Sequence, residues 1–241
     1  MPTVLVTRPQ HQQEHFITLC HELGLKIHSL PLLRILPKKT NDKLWQPNLE
    51  NPNTAWIFTS RNAVVHCPFD SNPKGPVFAM GASTADALTL SGRTLAARPQ
   101  VPFNSEALVK QLRQVNANSA VVITGVGGRT YLGEELRSMN WTVIEVRCYE
   151  RLPEIHTKQS VSEALNAVNI VSLTSIESMD VLLALAKHEI TDWKTKPLVV
   201  NSERAAIAAE EAGFNGGIYT AIPAGDHGQI KEIKRILTEQ S

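Results

Sequence analysis

The sequence has no hydrophobic run that approaches the roughly 18 residues needed to cross a membrane. Its first residues carry no basic segment followed by an apolar stretch, which is the pattern of a secretory signal. We therefore predict neither a membrane partner nor export for these 241 residues, and we expect a cytoplasmic protein.

Charge of one sign is not in excess either, because 24 basic and 23 acidic residues leave a formal net charge of +1. Binding to nucleic acid by bulk attraction usually requires a strong basic excess, so no nucleic-acid partner is predicted. Only three cysteines occur, Cys20, Cys67 and Cys148, and an odd number without paired spacing predicts reduced thiols. The eight histidines do not fall at ligand spacing, so we predict no metal site.

Familiar catalytic motifs are missing: there is no GxSxG, no HExxH and no phosphate-binding GxxxxGK[ST]. The glycines Gly125, Gly127 and Gly128 do not form a dinucleotide-binding GxGxxG, because Thr130 occupies the place of the third glycine. A Rossmann-type cofactor site is therefore not predicted.

Short β-rich apolar runs alternate with helical patterns almost from end to end, which favours parallel α/β sheets. Ten strands are too many for one ordinary sheet of five or six, so we predict two α/β domains with parallel sheets of flavodoxin-like type. Glycine or asparagine stands where helices should end, at Gly24, Gly92, Asn140 and Gly213. The predicted strands are Val4–Thr7, Lys26–Leu36, Ala55–Thr59, Val77–Met80, Thr94–Ala97, Ala120–Thr124, Thr142–Cys148, Ile170–Thr174, Leu198–Asn201 and Gly217–Thr220.

An internal repeat relates residues 1–97 to residues 118–221. Val4–Arg8 resembles Val121–Gly125, each half has an apolar strand ending in Thr-Ser, and each has Pro, strand, Ala-rich helix and Gly at the same spacing. Two predicted strands, Lys26–Leu36 and Thr142–Tyr149, are too long for a small sheet and suggest a two-stranded connector. We predict one domain from residues 1–36 and 150–241 and another from 37–149, with Pro37–Asn53 as a surface loop.

One local device recurs: a strand ends, small hydroxyl or glycine residues follow, and a helix begins. Helix N-termini offer free N–H groups, small residues let an anion approach them, and parallel strands place such turns at one sheet edge. If two sheets faced each other, the turns would suit a ligand with many carboxylates or phosphates; simple helix capping is the alternative for each turn alone. The candidate binding residues are Arg8, Thr59, Ser60, Arg61, Gly81, Ser83, Thr84, Gly125, Gly127, Gly128, Arg129, Thr174, Ser175, Ser202 and Arg204.

Taken together, these segments resemble the uroporphyrinogen-III synthase family. The similar segments are Val4–Pro9, Ile57–Ser60 with Asn62–Val64, Gly81–Ala85, Gly127–Arg129, Cys148–Arg151, Ser202–Arg204 and Gly213–Phe214. No single segment is specific, and the evidence is their order along nearly the whole chain. Arg61 and Val126 depart from the family pattern, which affects the details of loop contacts.

The resemblance implies two α/β domains joined by a two-stranded connector, and hydroxymethylbilane, with its eight carboxylates, as the substrate. The implied reaction loses water and closes the macrocycle with ring D inverted, without cofactor or metal, and Tyr149 matches the family's candidate acid. We expect a monomer. Two other classes stay open: a non-enzymatic sensor of a small polyanion, and a phosphate-sugar isomerase or transferase.

Overall fold

The computed structural model describes residues 1–101, 103–128, 130–188 and 192–239. The chain divides into two compact units. The terminal unit comprises Met1–Arg34 and Leu152–Ser241, and the central unit comprises Ile35–Arg151. Each unit contains one five-stranded sheet. Within the described residues, no helix combines the length and apolar character that crossing a membrane requires.

The strands and helices alternate as the sequence pattern predicts. The strands are β1 (Thr3–Val6), β2 (Lys26–Ser29), β3 (Leu33–Pro37), β4 (Thr54–Phe58), β5 (Val77–Ala79), β6 (Ser119–Gly125), β7 (Thr142–Pro153), β8 (Ile170–Ser172), β9 (Leu198–Val200) and β10 (Ile218–Thr220). The helices are α1 (Glu14–Glu22), α2 (Asp42–Trp45), α3 (Arg61–Val65), α4 (Ala82–Leu90), α5 (Ser105–Leu112), α6 (Tyr131–Ser138), α7 (Lys158–Ala167), α8 (Ile176–Leu185), α9 (Glu203–Glu211) and α10 (Asp226–Glu239).

The terminal unit has the strand order β2-β1-β8-β9-β10, with parallel pairing between β1, β2, β8, β9 and β10. Counted in chain order this is 2-1-3-4-5, the flavodoxin-like order. Helices cover both faces: one core contains residues of α7, α8 and α9, and the other contains residues of α1 and α10. A parallel sheet buried on both faces explains why its strands are almost continuously apolar.

The central unit has the order β3-β7-β6-β4-β5, and β7, β6, β4 and β5 pair in parallel. Alternate residues of β4 enter opposite cores. Trp56 and Phe58 pack with α3 and α4, whereas Ala55 and Ile57 pack with α5 and α6. The chain enters this unit along β3 and leaves it along β7, since the unit boundaries fall inside these two strands.

The strand orders of the two sheets can be compared through the predicted repeat. Under that repeat, β1 corresponds to β6, β2 to β7, β4 to β8 and β5 to β9. The terminal sheet reads β2-β1-β8-β9 and the central sheet reads β7-β6-β4-β5, which is the same spatial order. Each sheet therefore combines the first two strands of one repeat with the last two strands of the other.

Helix ends follow the prediction closely. Gly24, Gly92 and Gly213 have φ values of 69°, 77° and 85°, and Asn140 has a φ of 60°. These left-handed residues close the C-termini of α1, α4, α9 and α6, where glycine or asparagine carries the smallest steric cost.

Three predictions about elements are wrong. The run Lys26–Leu36 is not one strand, because Pro31 lies between β2 and β3, which belong to different sheets. Residues Thr94–Ala97 form no strand, although the Ala96 N–H donates to the Val77 carbonyl over 2.8 Å. Pro37–Asn53 is not a plain loop: it contains α2, whose Trp45 is buried against Phe69 with ring centroids 4.9 Å apart.

A buried polar network fills the edge of the terminal sheet where β1 and β8 end. The Arg8 guanidinium donates to Asp226 and, over 2.8 Å, to Gln229, and it lies 4.1 Å from the centroid of the Phe16 ring. Gln229 also accepts from Ser172 over 2.8 Å and donates to the Leu173 carbonyl over 3.1 Å. This network fastens the start of α10 to the sheet.

We predict that Asp226→Asn destabilises the terminal unit by about 1.5–3 kcal/mol at neutral pH, the range for hydrogen bonds to charged groups. Burial raises the pKa of Asp226, but Arg8 and the hydrogen bond from His15 outweigh burial, so the pKa lies below its usual value of 3.8. A carboxyl whose pKa is lowered by folding contributes stability above its unfolded pKa and loses it as the pH falls through the folded value.

Chemical denaturation of wild type and Asp226→Asn between about pH 7 and pH 3 tests this prediction, because their difference should shrink below about pH 4. Asp180→Asn, at an exposed position on α8, serves as the control. A stability difference that does not change with pH would contradict the ion pair as its source.

Candidate functional site

In the central sheet the strand order reverses direction between β6 and β4. The connection after β4 runs through α3 on one face, and the connection after β6 runs through α6 on the other face. Such a switch point opens a crevice outside the carboxyl ends of the two strands, which is where α/β sheets bind ligands.

A cavity of about 210 Å³ occupies this switch point. Hydroxyl, glycine and charged residues from the ends of β4 and β6 and from β7 form most of its wall. Its lining consists of Thr59, Ser60, Met80, Ser105, Val122, Thr124, Gly125, Gly128, Thr130, Leu132, Gly133, Glu145, Arg147, Tyr149 and Arg151.

Tyr149 reaches this cavity because of an irregularity in β7. Thr124 pairs with Arg147 but Gly125 pairs with Tyr149, so Cys148 is an extra residue on β7. Bulges of this kind bend a strand and redirect its side chains. Cys148 and Tyr149 therefore both enter the core on the α3 side, although consecutive residues of a regular strand point to opposite faces.

The Tyr149 ring lies directly over the backbone of Gly125. A Cβ atom at position 125 would stand 2.5 Å from the ring carbon Cζ and 2.8 Å from the hydroxyl oxygen, closer than atoms can approach. The His66 ring is the other neighbour, with centroids 6.0 Å apart. Tyr149 is 2% exposed, so its hydroxyl has one fixed place at the cavity wall.

Hydroxyl groups cluster around that place. The Tyr149 hydroxyl lies 3.0 Å from Ser60 Oγ, and Ser60 Oγ accepts the Ala63 N–H over 3.0 Å as the N-cap of α3. Thr59 Oγ1 donates to Thr124 Oγ1 over 3.0 Å across the gap between β4 and β6. The serines and threonines that end the strands thus present polar oxygens to the cavity.

Cationic groups exceed anionic ones in the cavity wall. Glu145 lies between two arginines, with its carboxylate 3.2 Å from Arg137 Nη2 and 3.1 Å from Arg147 Nη2. Arg151 Nη1 lies 3.4 Å from the Tyr149 hydroxyl. Two arginines and one glutamate therefore line the cavity, which favours an anionic ligand.

The thiol beside Tyr149 is not suited to nucleophilic chemistry. Cys148 is buried, and burial raises its pKa to about 12, so the thiol stays protonated at neutral pH. Among the described residues, no three His, Cys, Asp or Glu side chains are grouped so as to hold a metal ion.

The structure brings together five of the predicted site residues. Thr59, Ser60, Gly125, Gly128 and Tyr149 all line the central cavity. Gly127, with a φ of 75°, shapes the turn after β6 and, with Arg61, Gly81, Ser83 and Thr84, is absent from the lining. Arg129 lies outside the described residues.

The remaining predicted residues belong to the terminal unit. Ser175 and Ser202 cap α8 and α9, accepting the N–H groups of Ser178 and Ala205 over 3.1 and 3.2 Å. Thr174 and Arg204 adjoin these caps, and Arg8 is committed to the buried network with Asp226 and Gln229. Capping, the alternative weighed for each turn, accounts for the serine side chains here.

Comparison with known proteins identifies the family. The model of the family described as uroporphyrinogen-III synthase HemD matches residues 14–223. The chain belongs to this family. It is 28% identical over 232 residues to uroporphyrinogen-III synthase of Escherichia coli K12, covering 88% of this chain and 92% of that protein. The Salmonella typhimurium LT2 enzyme is 27% identical over 230 residues, with the same coverage.

Solved structures show the same fold. The uroporphyrinogen-III synthetase of Helicobacter pylori 26695 has a TM-score of 0.64 at 17% identity, covering 98% of this chain and all of that one. A mutant uroporphyrinogen III synthase of the extremely thermophilic bacterium Thermus thermophilus has a TM-score of 0.62 at 17% identity, covering 99% of this chain and all of that one.

The predicted family and fold class are therefore confirmed, and with them the prediction that the chain is an enzyme, a lyase of porphyrin and haem biosynthesis. Nothing in these comparisons supports the alternative of a ligand sensor.

Sequence reasoning missed part of the cavity wall. Thr124, Glu145, Arg147 and Arg151 line it but were not among the predicted site residues. A signal was available for the last three, since charged residues at alternate positions of a strand predict a polar face. The bulge at Cys148 had no such signal, because it changes which face a residue meets without changing residue type.

We predict that Gly125→Ala slows uroporphyrinogen III formation nearly as much as removal of the Tyr149 hydroxyl. The new methyl group would overlap the ring and move the hydroxyl away from Ser60. Gly24→Ala is the control. Glycine is favoured at this position too, because its φ of 69° is left-handed, but the residue lies in the terminal unit.

Turnover and melting temperature should be measured for both variants. We expect Gly24→Ala to lower the melting temperature and keep turnover, and Gly125→Ala to lower turnover nearly as far as Tyr149→Phe does while staying folded. Wild-type turnover in Gly125→Ala would show that the close approach of the Tyr149 ring to Gly125 is not needed for catalysis.

Proposed function

We propose that the cavity at the switch point of the central sheet binds the hydroxymethyl end of hydroxymethylbilane, and that Tyr149 donates a proton to the departing hydroxyl. The observation that carries this proposal is the Tyr149 hydroxyl, held at the cavity wall by Gly125 and lying 3.0 Å from Ser60. No other phenol lines this cavity among the residues described.

The size of the cavity suits one part of the bilane. Ligand pockets usually measure about 300–1,000 Å³, so about 210 Å³ suits one or two pyrrole rings and not the whole bilane. Val122, Leu132 and Met80 supply apolar surface for a pyrrole ring, and Arg147 and Arg151 supply charge for its acetate and propionate groups. Arginine is well suited to this task because its planar fork binds carboxylates through two hydrogen bonds.

The general acid has a small part in the reaction, because the pyrrole itself drives the departure of the hydroxyl. The nitrogen lone pair of the terminal pyrrole expels the hydroxyl and leaves a cationic azafulvene, while Tyr149 protonates the departing oxygen so that water leaves. The substituted carbon of ring D then attacks the azafulvene to give a spiro intermediate. The bond between this carbon and the methylene bridge to ring C then breaks, which forms a second azafulvene on ring C. The unsubstituted α-carbon of ring D attacks that azafulvene, and the proton lost from this carbon returns to the Tyr149 phenolate as uroporphyrinogen III forms.

Positioning is the larger contribution. The bilane closes without inversion when it is free, so the protein must hold it with the substituted carbon of ring D near the azafulvene carbon. Holding two reacting groups together removes most of the entropic cost of their encounter from the reaction step. Effective molarities of about 10⁵–10⁸ M are reached in well-oriented systems. Water-excluding walls also protect the azafulvene from addition of water.

Several parts of the proposal stay predictions. These are substrate contacts at Arg61, Gly81, Ser83, Thr84, Gly127, Arg129, Thr174, Ser175, Ser202 and Arg204. The division of the chain into independent domains, a monomeric state and a cytoplasmic location are also predictions. Arg8 is left out of the proposed binding set, because its side chain already serves the network around Asp226.

We predict that Tyr149→Phe lowers turnover by no more than about 10²-fold, the low end of general acid catalysis, because this hydroxyl also departs without an enzyme. The product of the mutant should still be inverted, since positioning does not depend on the phenol. Slower turnover lets spontaneous closure compete, so the fraction of isomer I should rise as the enzyme concentration falls.

The measurement is the ratio of uroporphyrin III to uroporphyrin I after oxidation, at several enzyme concentrations. Tyr219→Phe is the matched control, because it removes a phenol of the terminal unit that donates to Glu239 over 3.0 Å. Wild-type turnover in Tyr149→Phe would remove Tyr149 from the chemistry.

A further inference from the structure

We infer that Ser60 is a positioning residue for Tyr149: its hydroxyl donates a hydrogen bond to the Tyr149 oxygen, which keeps the phenolic proton directed into the cavity and supports the phenolate after transfer. This inference deepens the proposed function and rests on Tyr149 as the proton donor. It replaces the predicted role of Ser60 as a direct ligand of the substrate.

The Tyr149 oxygen has two hydrogen-bonding neighbours among the described residues, Ser60 Oγ at 3.0 Å and Arg151 Nη1 at 3.4 Å. An arginine can only donate, whereas a serine hydroxyl can donate or accept. The direction of the Ser60 bond therefore decides whether the phenolic proton points at the protein or at the cavity.

Ser60 also takes part in a second hydrogen bond. Its oxygen accepts the Ala63 N–H over 3.0 Å, so one lone pair is used by the N-cap of α3. A hydroxyl that accepts a hydrogen bond becomes a stronger donor, because bonds in a chain polarise one another. The chain from the Ala63 N–H through Ser60 to Tyr149 thus favours Ser60 as the donor.

Both Ser60 and Tyr149 are held in place by their neighbours. Gly125, the His66 ring and the Arg151 guanidinium, which lies 5.9 Å from the ring centroid, pack around the Tyr149 ring, and the N-cap bond holds Ser60 at the start of α3. Neither oxygen has to move when the proton leaves. The donors that held the neutral phenol then hold the phenolate, which is the preorganisation that makes such bonds effective in catalysis.

The test is a double-mutant cycle on the full chain with hydroxymethylbilane. We expect Ser60→Ala to lower turnover about tenfold, at the low end for losing a hydrogen bond to a charged group. In the Tyr149→Phe background the same substitution should change turnover less than twofold, because Ser60 acts through the phenol. Ser60→Thr keeps the hydroxyl and the N-cap and should restore most of the turnover.

The matched control is Thr157→Ala. Thr157 caps α7 of the terminal unit, where its hydroxyl accepts the Ser160 N–H over 3.1 Å, far in the chain from the cavity of the central unit. Both alanine variants should lower the melting temperature to a similar degree, and only Ser60→Ala should lower turnover. This separates the capping role of Ser60 from its effect on Tyr149.

Two results would overturn the inference, and they differ. If Ser60→Ala lowers turnover equally in both backgrounds, Ser60 acts independently of the phenol, and the role of Tyr149 stands while the inference fails. If Tyr149→Phe has wild-type turnover, the proposed acid is wrong and the inference fails with it.

Discussion

The pairing of β6 with β7 at Gly125 and Tyr149 is the constraint on which the site depends. A bulge of one residue brings the tyrosine ring over the backbone of Gly125, where no side chain fits. The Val126 N–H then donates to the Tyr149 carbonyl over 2.9 Å, which ties the turn after β6 to the same residue. The pairing of β6 with β7 thus fixes the position of Gly125, the turn after β6 and the Tyr149 hydroxyl.

The two sheets use equivalent positions for opposite purposes. Arg8 and Gly125 correspond in the repeat, and each follows a threonine at the end of a strand that borders the switch point of its sheet. In the terminal sheet the switch point is filled by Arg8 and Gln229, which hold α10. In the central sheet the glycine leaves space for a cavity and an aromatic ring. Under the predicted repeat, equivalent positions therefore hold a buried polar network in one sheet and line a cavity in the other.

Local chemistry explains what could be predicted from the sequence. The left-handed ends at Gly24 and Asn140 and the alternation of strands and helices depend on neighbouring residues, and they were predicted correctly. The split of Lys26–Leu36 between two sheets and the missing strand at Thr94–Ala97 depend on partners distant in sequence. An apolar run forms a strand only where another strand edge is available to pair with it.

The site shows the same division. Thr59, Ser60 and Gly125 were found because residue type and strand ends together mark the carboxyl edge of a sheet. Arg147 was missed although its alternation with Glu145 marks a polar face of β7, and Arg151 lies beyond the bulge at Cys148, which residue type does not mark. The exchange of repeat halves between the sheets follows from the predicted grouping of residues 1–36 with 150–241, which was drawn from the repeat and the two long predicted strands.

The discontinuity of the terminal unit has a consequence for the order of events during synthesis. Its strand β1 pairs with β2, which is close in the chain, and with β8, which follows the entire central unit in the chain. The central unit is contiguous, so all of its contacts are available as soon as residue 151 has left the ribosome. Until α10 arrives, Arg8 has neither Asp226 nor Gln229. The strand β1 therefore stays without its complete set of partners until β8 and α10 have been made, and the nascent chain carries an unfinished sheet in the meantime.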